Sequence, residues 1–131
     1  MKRLLYIVGS LVLIMSFLLA GEQDVEKIKT NYKSALESNN PGVRFSGLFN
    51  LVYMKSQYPE ISLEMYNRQL QKIIKEDNEA IIRVDANLAY LYLNSEDLAY
   101  VVKVQDKENP KEFFNTLYRT LNVQNVTMNR M

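Results

Sequence analysis

The chain has 131 residues, of which 47% are hydrophobic and 24% charged, a balance typical of one folded domain. It contains neither cysteine nor histidine. Thiol nucleophiles, disulfides, imidazole bases and the usual zinc and haem ligands are therefore excluded. We predict no catalytic residue, no cofactor and no metal site, which leaves binding as the main class of function.

The N-terminus has two basic residues, Lys2 and Arg3, followed by an apolar run from Leu4 to Ala20. This order is typical of a secretory signal, and Ala20 or Gly21 could precede the cleavage site. The run also reaches the lower length limit for a membrane-spanning helix. The sequence predicts a signal peptide or an N-terminal membrane anchor over residues 1–21, with the rest exported across the cytoplasmic membrane, periplasmic or secreted.

The exported part is electrically balanced, because without Lys2 and Arg3 it has 14 basic and 15 acidic residues. Its basic residues alternate with acids, whereas nucleic-acid binders carry clustered lysine and arginine. We therefore predict no nucleic-acid partner, and contact with the membrane only through the N-terminal segment.

Apolar periodicity predicts six helical stretches within a domain of residues 22–121. They run from Val25 to Leu36, Val43 to Met54, Ile61 to Ile74, Ile81 to Leu93, Leu98 to Val102 and Phe113 to Leu121. The fourth is apolar on most sides, as expected of a helix buried between others. The fifth would also suit a short strand. Residues 122–131 show no period and are predicted to form a flexible tail.

Prolines and polar residues mark the expected helix starts. Pro41, Pro59 and Pro110 each precede an apolar-periodic stretch, and proline is tolerated in a first turn. Asn40, Asn109 and Ser95 are suitable N-caps.

An internal repeat joins the second and fourth stretches. Val43-Arg44 lies 39 residues before Ile82-Arg83, and the same offset places Gly47 opposite Ala86. In addition, Asp77 lies six residues before Arg83, while Ser38 holds that place before Arg44.

On these residues the sequence resembles the HEAT family of helical-hairpin repeats, which has an aspartate in the turn between its helices and Val-Arg early in the second helix. The resemblance implies an all-α fold, a short right-handed superhelix of about three antiparallel helix pairs. It also implies that Asp77, Arg83 and Arg44 belong to a polar ladder between successive turns. A TPR-like array or a non-repeat helical bundle is the alternative.

Two groups of residues are candidates for contacting a partner. Arg44 and Arg83 could clamp carboxylates or phosphates, although bracing of the turns, with Arg83 paired to Asp77 or Asp85, is the favoured interpretation. Tyrosine combines contact area with a polar tip, and two tyrosines two residues apart on one helix cannot face the same way. The predicted partner-binding residues are the following: Asn50, Tyr53, Asn87 and Tyr92.

The favoured function is an exported helical-repeat module that binds another protein, of unknown identity, without catalytic activity. One alternative is a membrane-tethered structural or scaffold component of the cell envelope. Another is a hydrolase that uses paired carboxylates, although acids spaced three or four residues from lysines usually form ordinary pairs on a helix surface.

Overall fold

The fold was analysed in a computed structural model that describes residues 22–129. These residues form six α-helices and one 3₁₀ turn, Glu64–Tyr66, and contain no strand. The helices are α1 (Glu22–Leu36), α2 (Pro41–Gln57), α3 (Asn67–Glu76), α4 (Ala80–Leu93), α5 (Glu96–Val101) and α6 (Pro110–Asn129). The prediction of an all-α fold is confirmed for this part of the chain.

The chain divides into two compact units, Met1–Asn31 and Tyr32–Met131, and the sites described below lie in the second. The predicted signal or anchor, residues 1–21, lies outside the described residues. Within residues 22–129, no helix is long and apolar enough to cross a membrane.

The capping residues behave as the sequence predicts. The side-chain oxygen of Asn40 accepts a hydrogen bond from the N–H of Gly42 at 2.9 Å, and Ser95 Oγ accepts one from the N–H of Leu98 at 3.3 Å. Asn109 accepts a bond from the N–H of Glu112 at 3.4 Å and returns one from its amide to the Glu112 carboxylate at 3.2 Å. The bonds from the N–H groups of Gly42, Leu98 and Glu112 satisfy backbone donors that have no partner within the helix, so these helices start where their caps lie.

Pro59 does not start a helix, which corrects the prediction for the third stretch. It lies in the turn after α2, and α3 begins only at Asn67. The N–H of Ile61 bonds the carbonyl of Tyr58 at 3.0 Å, and the buried ammonium of Lys55 bonds the carbonyl of Ile61 at 2.7 Å. These bonds hold residues 58–61 in a turn, so Ile61 joins the core without helical backbone.

Two further boundaries follow from the structure. The fifth stretch is helical, so of the two predicted forms the helix is the one observed. Helix α6 continues to Asn129, although its apolar periodicity ends at Leu121. The flexibility of residues 122–131 stays a prediction.

Helix α4 lies at the centre of the fold, packed against α2, α3, α5 and α6. This confirms that it is buried between other helices. The prediction of burial on most sides is too strong, however, because Ile81 is 65% exposed and Val84 and Leu91 are also exposed. The buried residues that α4 and its neighbours share include Leu48, Leu51, Val52, Leu70, Ala86, Ala89 and Leu117.

The helices approach closely at Gly47. A Cβ atom on this glycine would lie 3.1 Å from the Cβ of Ala35 and 3.3 Å from Leu36 Cδ2, closer than ordinary packing allows. The small residue therefore lets α2 lie directly against the end of α1. Ala86, at the matching place in α4, has no exposed surface.

Candidate functional site

The turns that precede α2 and α4 share two hydrogen bonds. In the first turn, Ser38 Oγ accepts from the N–H of Asn40 at 3.1 Å, and the Ser38 carbonyl accepts from Arg44 Nη1 at 2.9 Å. In this turn the backbone of Asn40 has φ −85° and ψ 117°.

The second turn repeats this arrangement 39 residues later. Asp77 Oδ1 accepts from the N–H of Glu79 at 2.9 Å, and the Asp77 carbonyl accepts from Arg83 Nη1 at 2.5 Å. Glu79 has φ −88° and ψ 115°. The two turns thus differ in side-chain chemistry, serine against aspartate, while the backbone dihedrals of Asn40 and Glu79 are nearly the same.

Arg44 joins the two turns. Its Nε lies 2.6 Å from Asp77 Oδ2, and its Nη2 donates to Asp77 Oδ1 at 2.9 Å. The two side chains are only 14% and 3% exposed. Burial alone would raise the pKa of Asp77, but the hydrogen bonds from Arg44 and from the Glu79 N–H outweigh it and hold that pKa below its ordinary value.

These contacts correct one detail of the sequence analysis. Arg83 was expected to pair with the carboxylate of Asp77 or Asp85, but the Asp77 carboxylate binds Arg44 and Arg83 binds the Asp77 carbonyl. Both guanidinium groups are therefore engaged within the protein, as the bracing interpretation requires.

The four residues predicted to bind a partner are in different environments. Tyr92 is wrongly assigned: it is 0% exposed, its ring packs edge-on against Phe113 at 5.2 Å, and its hydroxyl donates to the Val102 carbonyl at 2.6 Å. Asn87 is exposed on α4. Only Asn50 and Tyr53 line a common depression, of about 370 Å³, with Phe45, Ser46, Phe49, Lys107, Glu108 and Pro110.

A larger groove of about 550 Å³ lies over the first turns of α2, α4 and α6, and we call it the α2–α4–α6 groove. The rings of Phe45 and Phe114, on its wall, are 5.7 Å apart, and Ile81 is an exposed apolar residue beside them. Phe45 also borders the depression with Asn50 and Tyr53, so the two adjoin. The groove is lined by Pro41, Gly42, Phe45, Glu79, Ile81, Ile82, Asp85, Lys111, Phe114 and Asn115.

Asp85 is the unusual residue of this groove. It is 6% exposed, and within the described part of the chain it has no ion pair and no hydrogen bond. Burial raises its pKa to about 6. The other charged residues that line the groove, Glu79 and Lys111, are exposed.

The sequence offered Asp85 only as a partner for Arg83, so its place in the groove was missed. A signal was present: Asp85 follows Ile82 by three residues and precedes Ala89 by four, so it shares their face of the helix. Both neighbours are buried. An acid on the buried face of a helix is expected to be paired or functional.

No family model, no curated protein and no solved structure matches this chain. The described residues contain no group of three or more acids that could hold a metal ion. Over residues 22–129 the protein is therefore all-α, with an open, largely apolar groove in which Asp85 is a buried carboxylate without an ion pair.

Proposed function

We propose that this chain is an exported, HEAT-like helical module that binds another protein on the face carrying the α2–α4–α6 groove. The observation that carries the proposal is the groove itself, in which apolar side chains stay uncovered beside Ile81. Large apolar residues gathered in a concave surface are typical of interaction sites.

The repeat assignment is supported by the two matching turns. The same bonds recur at an offset of 39 residues, and Arg44 connects one turn to the next. Asp106 accepts a bond from the N–H of Glu108 at 2.9 Å, as in the earlier turns, but Glu112 stands where their arginine would be. In the proposed array the third unit is therefore the degenerate one, and terminal units of repeat proteins commonly depart from the pattern.

Binding explains the site better than hydrolysis does. Glycosidase-type chemistry needs two carboxyl groups with opposed environments flanking one bond. Among the described acids, Asp85 alone combines burial with a raised pKa, Asp77 is committed to Arg44, and Glu79 is exposed. We therefore propose no catalytic activity.

Site-directed photocrosslinking tests the binding proposal. A photoreactive phenylalanine analogue placed at position 81 in the full chain, in its native host, should yield one defined protein adduct. The matched control is position 101, because Val101 is 74% exposed and lines neither depression. Equal adducts at both positions, or none at position 81, would contradict the proposal.

We also propose that residues 22–131 act outside the cytoplasm. The support is the order of Lys2, Arg3 and the apolar run of residues 4–20. The intact mass of the chain recovered from envelope and medium tests it: a start near Gly21 or Glu22 identifies a cleaved signal. An uncleaved chain in the membrane fraction identifies the tethered scaffold, and an uncleaved chain in the cytosol contradicts export.

A further inference from the structure

The state of Asp85 is costly for an isolated protein. A buried carboxylate normally acquires a cation or hydrogen-bond donors, because burial removes the water that stabilises its charge. Asp85 is 94% buried and has neither within the described residues. The adjacent arginines do not neutralise it, since Arg44 binds Asp77 and Ser38, and Arg83 binds the Asp77 carbonyl.

The other groups that face Asp85 leave the groove without a fixed counter-charge. From α2 the groove is lined by Pro41, Gly42 and Phe45, which carry no charge. The start of α4 contributes Glu79 and α6 contributes Lys111, both exposed and neither in an ion pair with Asp85. The groove thus presents an unbalanced negative charge inside apolar walls.

At neutral pH this charge is present. A carboxyl group with a pKa of about 6 is ionised in roughly ten molecules of eleven at pH 7. A cation that brings its own apolar stem fits such a site best, and lysine and arginine are the side chains that combine the two. An acidic or phosphorylated segment would be repelled.

The size and continuity of the site favour a chain segment over a small cation. A volume of about 550 Å³ accepts a few side chains. The exposed Ile81 extends the apolar surface at the groove, and Phe45 connects the groove to the depression with Asn50 and Tyr53. That depression offers amide and hydroxyl groups for a peptide backbone.

We propose that the α2–α4–α6 groove binds a short segment of the partner protein in which a lysine or arginine adjoins an aliphatic or aromatic residue, the cation pairing with Asp85. This inference rests on the proposed function and specifies the chemistry of the partner.

A displayed library of random dodecapeptides tests the chemistry. The full chain, reconstituted in lipid nanodiscs, is used as wild type, as Asp85→Asn and as Asp97→Asn. Asp97 is an exposed acid on α5 that lines neither depression, so it is the matched control. Peptides selected by wild type and by Asp97→Asn should be enriched in lysine or arginine beside apolar residues, and Asp85→Asn should not select them.

The best peptide is then titrated by calorimetry. Asp85→Asn should weaken its binding about 10-fold to 100-fold, the range of a hydrogen bond to a charged group. Between pH 7.5 and pH 5 the wild type should lose affinity as Asp85 is protonated, whereas Asp85→Asn should not. The Asp85→Asn variant separates the contribution of Asp85 to this pH dependence from that of Glu79, the other acid that lines the groove.

The outcomes separate the two proposals. If selected peptides lack basic residues, or bind Asp85→Asn as tightly, yet are weakened by Ile81→Ser, protein binding at this face stands and the cation pairing is overturned. If n-butylamine or arginine amide competes as strongly as the whole peptide, a small cation is the occupant, which also overturns the inference. Both proposals fail if no peptide is selected. They also fail if neither Asp85→Asn nor Ile81→Ser weakens binding of the selected peptides.

Discussion

Two aspartates near the start of α4, Asp77 in the turn before it and Asp85 within it, are in opposite electrostatic environments. Asp77 is held by Arg44 and by a backbone N–H, and its pKa is lowered. Asp85, two turns later in α4, is equally removed from water but has no partner among the described residues, and its pKa is raised to about 6. Burial alone therefore does not decide the state of a carboxylate; the groups that meet it inside the protein do.

Asp77 and Asp85 therefore have different roles. The Arg44–Asp77 pair connects the turn before α2 with the turn before α4, and we expect it to stabilise the fold. We expect the unpaired Asp85 to lower stability, and proteins retain such residues mainly at functional sites. Four substitutions follow in order of decreasing effect on stability. The first two test the contrast between Asp77 and Asp85.

Removing Arg44 should have the largest effect. Arg44→Met leaves the Asp77 carboxylate buried and without its cation, which should lower the free energy of unfolding by about 3 kcal/mol. Urea unfolding followed by circular dichroism measures it, with the exposed Arg119→Met as control. A loss below about 1 kcal/mol would show that the ladder does not stabilise the fold.

Replacing Asp85 should have the opposite sign. Its folded pKa of about 6 lies above the ordinary value near 3.9, so ionisation destabilises the folded state above pH 6 and the penalty disappears below pH 4. Asp85→Asn should therefore stabilise the protein by up to about 3 kcal/mol at pH 7.5, and not at pH 4. A variant less stable than wild type at pH 7.5 would mean that Asp85 has a stabilising partner.

The Arg44–Asp77 pair provides the internal comparison for this pH series. Because the pKa of Asp77 is lowered in the folded state, the pair contributes stability above the ordinary aspartate pKa and loses it as the pH falls through the folded value. The difference between wild type and Arg44→Met should thus shrink in acid. As the pH falls, the free energy of unfolding should therefore decrease through Asp77 and increase through Asp85.

A substitution at Tyr92, which the sequence predicted to contact a partner, tests whether this residue belongs to the core. Tyr92→Phe keeps the packing against Phe113 but leaves the Val102 carbonyl without its donor, at an expected cost of about 1 to 2 kcal/mol. Tyr118→Phe, at an exposed position, should change the free energy of unfolding by less than about 0.5 kcal/mol. Equal effects in the two variants would place Tyr92 at the surface.

The smallest effect should come from making the two turns alike. Ser38→Asp gives the first turn the residue of the second, where the side chain accepts the N–H two residues ahead. We expect a change within about 0.5 kcal/mol, because the site is partly exposed and the geometry is retained. Destabilisation by more than about 1 kcal/mol would show that the turns are not equivalent.

Local features were predictable from the residues that create them. Asn40 and Asn109 cap helices because their side chains reach the first N–H groups of their own helices. The apolar run of residues 81–93 predicted a central helix because helical period depends only on neighbours in sequence. By contrast, the predicted helix start at Pro59 was wrong, because the Ile61 N–H bonds the Tyr58 carbonyl and the Lys55 ammonium bonds the Ile61 carbonyl, which closes a turn there.

The candidate site was less predictable. Asn50 and Tyr53 line a depression as expected of contact residues, but Tyr92, which matches Tyr53 at the offset of 39 residues, is fully buried. Equivalent positions in two units face different neighbours: α2 leaves Tyr53 partly open, while Phe113 covers Tyr92. Nothing in the spacing of the tyrosines contains that information.

The sequence by itself determined the six helices, most of their starts and the matching turns, since these depend on contacts within a few residues along the chain. Only the tertiary structure decided that Arg44 reaches Asp77, 33 residues away, and that Asp85 lies largely buried in the groove without a cation. The physical reason is that the pKa and the accessibility of a side chain are set by every element packed around it.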